Sequence, residues 1–137
     1  MKPFFLLAIA TLLTAAAAWA DDGELESAQE LALSWLSLTD NQQFETSWND
    51  ASTFFQAAIS ESHWTSSVNA ARSSFGRLKT RTITASTFSK TLLGAPNGNY
   101  IVFQFDTVFE KQVSATETLA MIKVGDDVWR VAAYLIK

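Results

Sequence analysis

His63 is the only histidine in this 137-residue sequence. Any Ser-His-Asp relay therefore has one possible base, and no histidine pair exists to hold a metal. His63 stands beside Trp64 in the first turn of a helical stretch, one residue off the apolar stripe, which is the place of a surface histidine. No H-E-x-x-H, G-x-S-x-G, S-x-x-K or phosphate-loop pattern occurs. Gly125-Asp126-Asp127 lacks the alternating ligands and terminal glutamate of a calcium loop and reads as a hairpin turn. No catalytic, ligand-binding or metal residue is assigned from these patterns, and no cofactor is expected.

Charged residues embedded in apolar strands are the stronger candidates for chemistry. Strand alternation places Asp106 and Arg130 on the faces opposite Phe105 and Trp129, where an outward ion pair would account for both. Glu117 shares its face with Leu119 and Met121 and is expected to point inward. A carboxylate enclosed by aromatic rings holds its proton more tightly than one in water, which suits a general acid or base. A paired or partly solvated carboxylate at the sheet rim is the simpler alternative. Arg77, Lys79 and Arg81 fall on one side of their strand by the same alternation, with Arg72 just before. They read either as an anion-contacting face or, more simply, as an edge strand charged against edge-to-edge pairing.

The elements that position these residues follow from hydrophobic period. From Asp21 to Gly76 the spacing is helical. Leu25, Ala28, Ala32, Trp35 and Leu36 form one stripe, and Asp21, Asp22, Glu24 and Glu26 crowd the helix start, where acids are favoured. Asp40-Asn41 ends that helix and offers a cap to the next, which carries Phe44, Ser47, Trp48 and Ala51. A third segment holds Phe54, Phe55, Ala58 and Ile59. A fourth holds Trp64, Val68, Ala71 and Phe75, capped by Ser60 or Ser62 and ended by Gly76. Beyond Gly76 the period falls to two: Arg77–Ser89, then Ile101, Phe103, Phe105 and Phe109 on one face, then Ala115–Val124. Trp129, Val131, Ala133 and Leu135 are expected on the inner face of the last strand. The turn formers of Gly94–Asn99 separate the first two strands. Helices followed by hairpin-joined strands predict an α+β fold, with the helices packed on one face of a four-stranded antiparallel sheet.

Residues 1–20 read as a signal peptide. Lys2 precedes an apolar run from Phe4 to Leu13 that is too short to span a bilayer, and Ala18-Trp19-Ala20 supplies the small residues of a cleavage site. The expectation is a periplasmic or secreted single domain, residues 21–137, without a stable membrane anchor. The sequence has no cysteine, so no disulfide and no lipid-bearing cysteine can form. Of its five Trp and ten Phe, those beyond the leader, which holds Phe4, Phe5 and Trp19, must carry the domain's stability. With a formal net charge of −4 it is a poor nucleic-acid binder, because counterion release needs clustered positive charge.

Several stretches, taken in order, resemble the bacterial secreted family catalogued as domain of unknown function 4019. They are Trp35-Leu36 with Asp40, Phe44, Ser47-Trp48, Ala51-Ser52 and Phe55, then Trp64, Arg72 with Gly76, and Arg81. The loop Gly94–Tyr100, Phe105-Asp106-Thr107 with Phe109, Glu117-Thr118, and Trp129-Arg130-Val131 with Tyr134 complete the set. Ala133 stands where the family pattern has glycine, and Ser73-Ser74-Phe75 replaces a proline-containing stretch. The resemblance implies a cone like that of nuclear transport factor 2, in which helices and a curved sheet enclose a pocket. It implies no activity.

These readings converge on a non-enzymatic exported domain that binds a small apolar ligand or a partner protein, through the concave sheet face or the loop around Pro96. Trp35, Trp48, Trp64, Phe103, Phe105 and Trp129 could line such a pocket, though their spacings make them core first. The alternative is an acid-base lyase or isomerase using Glu117 or Asp106 with Tyr134.

Overall fold

The structure, a computed structural model, describes residues 22–125 and 127–137; the leader expected over residues 1–20, Asp21 and Asp126 lie outside the described residues. Four helices, α1 (Asp22–Asp40), α2 (Phe44–Asp50), α3 (Thr53–Ala58) and α4 (Glu61–Phe75), precede four strands. These are β1 (Leu78–Ser89), β2 (Tyr100–Phe109), β3 (Ala115–Val124) and β4 (Val128–Ile136). The strands form an open antiparallel sheet in the order β1-β2-β3-β4, the α+β arrangement expected from hydrophobic period. Among the described residues, no helix is long and apolar enough to cross a membrane.

Each helix forms for a local reason. α1 buries Ala28, Ala32, Trp35, Leu36 and Thr39, one stripe at helical spacing. It ends where Gln42 takes a positive φ of 61°. Asp40 does not cap α2, contrary to expectation: Gln43 holds the N-cap position without a side-chain bond. Ser52 and Ser60 cap α3 and α4, accepting from the backbone N–H of Phe55 (3.1 Å) and His63 (3.2 Å). Gly76 closes α4 with a φ of 81°, and a Cβ there would stand 3.1 Å from that of Glu110.

The core lies between the helices and one face of the sheet. Ile101, Phe103 and Phe105 of β2, Leu119 and Met121 of β3, and Trp129 and Val131 of β4 meet Trp35, Leu36, Phe55, Trp64 and Val68. Each large apolar side chain so enclosed contributes roughly 1.5–3 kcal/mol. A smaller cluster around Tyr100, Ala120, Ile122 and Ala132 lies on the opposite face, with Leu92 and Ala95 packed against it.

Among the described residues the ladders contain three irregularities; one, between Ile83 and Ala85, lies beyond the charged residues of β1, and the other two overturn the simple alternation expected around Arg81 and in β4. In β1 the pairing passes from Leu78↔Phe109 to Thr80↔Val108, leaving Lys79 as an extra residue. Arg81 therefore faces inward with Leu78, opposite Thr107, instead of lining an outer face with Lys79. In β4 the pairing passes from Met121↔Val131 to Ala120↔Ala133, leaving Ala132 extra. The inner face of β4 is thus Trp129, Val131 and Tyr134, while Leu135 turns out and is 68% exposed. The expectation of Ala133 and Leu135 as inner residues fails because a bulge reverses the parity of everything beyond it.

Candidate functional site

The bulges at Lys79 and Ala132 each aim a polar side chain at the same residue. Glu117, on the inner face of β3, has no exposed surface. Its Oε1 accepts from Arg81 Nε at 2.7 Å and from Thr107 Oγ1 at 2.7 Å. Its Oε2 accepts from Arg81 Nη2 at 3.2 Å and from the Tyr134 hydroxyl. Four donors occupy the roughly four acceptor positions a carboxylate offers.

Arg81 extends the cluster toward the helices. Its Nη1 and Nη2 each donate at 2.9 Å to Asp40 at the end of α1, a two-point grip of planar guanidinium on carboxylate. Asp40 also pairs with Arg72 of α4, whose Nη1 is 3.0 Å from Oδ1. Arg72 Nη1 donates to Thr39 Oγ1 at 3.1 Å, and its guanidinium lies 4.8 Å above the centre of the Phe109 ring. Two acids and two arginines alternate in a chain, so the cluster carries no net charge. Burial opposes the charge of Arg81, but its bonds to Asp40 and Glu117 outweigh that and hold the guanidinium protonated beyond its ordinary range. Burial, reinforced by the negative charge of Glu117, raises the Tyr134 hydroxyl well above the ordinary phenol range.

The Tyr134 ring itself belongs to the aromatic core, 5.5 Å from Trp35 and 6.1 Å from Trp64, edge-on to both. Trp35 and Trp64 are tied to one residue of α2. Trp35 Nε1 donates to the Ser47 carbonyl at 2.8 Å, and Trp64 Nε1 to its hydroxyl at 2.9 Å.

This geometry bears on each candidate named from the sequence. Glu117 points inward and is a paired carboxylate, as the simpler alternative had it, but it is fully enclosed rather than partly solvated at the sheet rim. A carboxylate with four donors and no exposed surface has neither a free lone pair nor a route to substrate. Asp106 is exposed on the outer face opposite Thr82 and Thr116, so it has no part in the cluster. Asp106 and Arg130 are not an ion pair: β3 lies between their strands, and Arg130 donates to the backbone carbonyl of Asp50 at 3.2 Å. Arg81 is neither an anion-contacting surface residue nor an edge charge. His63 is exposed.

Asp40, Thr39 and Thr107 are cluster members that strand and helix patterns did not single out as a site, and Arg72, named beside the charged face of β1, is buried in the cluster instead. A signal for Arg72 was present, since Trp64, Val68 and Arg72 fall at i, i+4 and i+8 on one buried stripe. Among the described residues, no three His, Cys, Asp or Glu side chains converge as a metal ligand set.

The family model described as a protein of unknown function (DUF4019) matches residues 31–134. The chain belongs to this family. The match runs from the middle of α1 to Tyr134 and contains every member of the buried cluster. Among curated proteins, none matches this DUF4019 chain significantly.

Away from the cluster, the DUF4019 domain has an open groove of about 390 Å³ between α1 and the start of β4. Leu31, Trp35 and Leu38 line it from α1, and Met121, Trp129 and Val131 from the sheet. Leu31 is 40% exposed, while Trp129 is only 3% exposed. Of the aromatics expected around a pocket, Trp35 and Trp129 line this groove; Trp64, Phe103 and Phe105 are filled core.

Proposed function

We propose that this DUF4019 protein is an exported, non-enzymatic domain that binds a small apolar molecule in the groove between α1 and β4. The groove carries the reading. Its volume suits a small ligand rather than a macromolecule, and its lining is dominated by Trp, Leu, Met and Val side chains. The saturated state of Glu117 supports a binding role over acid-base chemistry, because a base needs a lone pair within reach of a substrate proton. The charged start, short apolar run and Ala18-Trp19-Ala20 of the leader support export to the periplasm or beyond. The net charge of −4 argues against a nucleic-acid partner.

A partner protein is the second reading, and the loop between β1 and β2 favours it. Leu93 is fully exposed there, while Leu92 and Ala95 pack on the sheet and Tyr100 donates its hydroxyl to the Pro96 carbonyl. The loop thus presents an apolar side chain from a fixed base.

Native mass spectrometry of protein recovered from the periplasm tests both readings. A chain mass for Asp21–Lys137 with a retained small molecule, lost in Leu31→Arg at the groove lip, supports the proposal. A co-purifying chain lost in Leu93→Arg supports the second reading instead. A chain that keeps residues 1–20 overturns the export proposal.

A further inference from the structure

We infer that the occupant of the groove is an amphiphile with a zwitterionic head, held between Arg130 and Asp50 while its apolar tail lies against Leu31, Leu38 and Val128. This deepens the groove reading and rests on it. Most of the lining is apolar, but Asp50 and Arg130 line the groove too, and both are exposed to an incoming molecule. The two residues stand side by side: Arg130 Nη1 donates at 3.2 Å to the main-chain carbonyl of Asp50. Neither charge nevertheless enters an ion pair, with the other or with any other described residue.

Both charges sit where the domain alone does little for them. Asp50 is the last residue of α2, the helix end that disfavours an acid, and no basic residue stands in that turn. Arg130 comes from β4 and gives its bond to the carbonyl at that helix end, not to the carboxylate beside it. A guanidinium has five N–H donors, so most of its capacity stays open. An anionic head would gain Arg130 and meet Asp50, and a cationic head would gain Asp50 and meet Arg130. An uncharged head would leave both without a partner. Only a head with one group of each sign complements the pair.

Four probes with the same eight-carbon tail separate this inference from the reading beneath it: n-octylphosphocholine, octan-1-ol, octanoate and octylammonium. In calorimetric titrations below micelle-forming concentrations, n-octylphosphocholine should bind tightest. Arg130→Gln and Asp50→Asn should each weaken it about three- to fivefold, the scale of one exposed charge contact, and leave octan-1-ol within about twofold. Asp50→Asn should also tighten octanoate, and Arg130→Gln should tighten octylammonium. Equal affinity for all four probes would overturn the inference, because the head would then go unread, while the groove reading would stand. Octanoate or octylammonium binding tightest to the wild-type chain would overturn it as well, in favour of a head of one sign. If no probe binds, the groove reading fails and takes the inference with it. The ranking on the wild-type chain decides the matter even if a variant does not fold.

Discussion

Tyr134 bonds to Glu117 along a diagonal of the β3–β4 ladder: its direct partner is Leu119, and that of Glu117 is Ile136. Diagonal neighbours on one face of a sheet are roughly 7–8 Å apart, within reach of a phenol. The contact exists because Ala132 is bulged; without that extra residue Tyr134 would point away from the helices. Tyr134→Phe keeps the ring between Trp35 and Trp64 and removes a donor from Oε2. The expected cost is about 1–3 kcal/mol in urea unfolding. A variant as stable as wild type would show that the bond contributes nothing net.

Arg81 is the cation shared by both acids, and its removal strands a buried charge. Arg81→Met leaves Glu117 with only Thr107 and Tyr134, and Glu117→Met leaves Arg81 with only Asp40. Each single change should cost about 3–5 kcal/mol. The double variant removes both charges, leaves the Arg72–Asp40 pair in place, and should be more stable than either single variant. A double-mutant cycle in urea checks this, and strictly additive losses would contradict it.

Alkaline pH should weaken the fold through Tyr134. Burial first, then Glu117, raises its folded-state pKa above the ordinary 10.0 of the unfolded chain. Stability from this group is intact below pH 10.0 and is lost as pH climbs above it, because the unfolded chain releases a proton that the folded chain keeps. The slope for one such group approaches about 1.4 kcal/mol per pH unit. Tyr100, raised by its own burial, adds to the same trend, so the informative quantity is the wild-type slope minus that of Tyr134→Phe. Equal slopes above pH 10 would show that Tyr134 ionises as easily folded as unfolded.

Ser47 fastens two indoles with two different atoms. Ser47→Ala removes the hydroxyl that accepts from Trp64 and donates to the Phe44 carbonyl at 2.6 Å, while the carbonyl that holds Trp35 remains. The cost should be about 1–3 kcal/mol, since a buried N–H loses its acceptor. In a ¹H–¹⁵N spectrum the Trp64 indole proton should move upfield and the Trp35 proton should hold its place. Movement of both together would mean that α2 has shifted as a unit.

How much was legible in the sequence varied by element. The stripe of α1, the Ser60 cap of α4 and the shared face of Ile101, Phe103, Phe105 and Phe109 were all visible, because each depends on spacing within one segment. The inward aim of Glu117 was visible for the same reason, since β2 and β3 pair without a register shift. Arg81, Ala133 and Leu135 were misplaced by the same reasoning, although the acid-base alternative had named Tyr134 with Glu117, which the structure joins. A bulge depends on how one strand meets its neighbour, and neither Lys79 nor Ala132 announces one.

The amino-acid order alone therefore determined the class of fold, helices before an antiparallel sheet, and the apolar faces that had to meet. Those follow from periodicities that a short segment carries within itself. Only the tertiary structure decided that Asp40, Arg72, Arg81, Glu117 and Tyr134 form one enclosed cluster. Asp40 and Arg81 are 41 positions apart, and Arg81 and Glu117 are 36. Pairing across such distances is set by where three elements converge. A charge is tolerated there because its partners arrive with it, which no local pattern records.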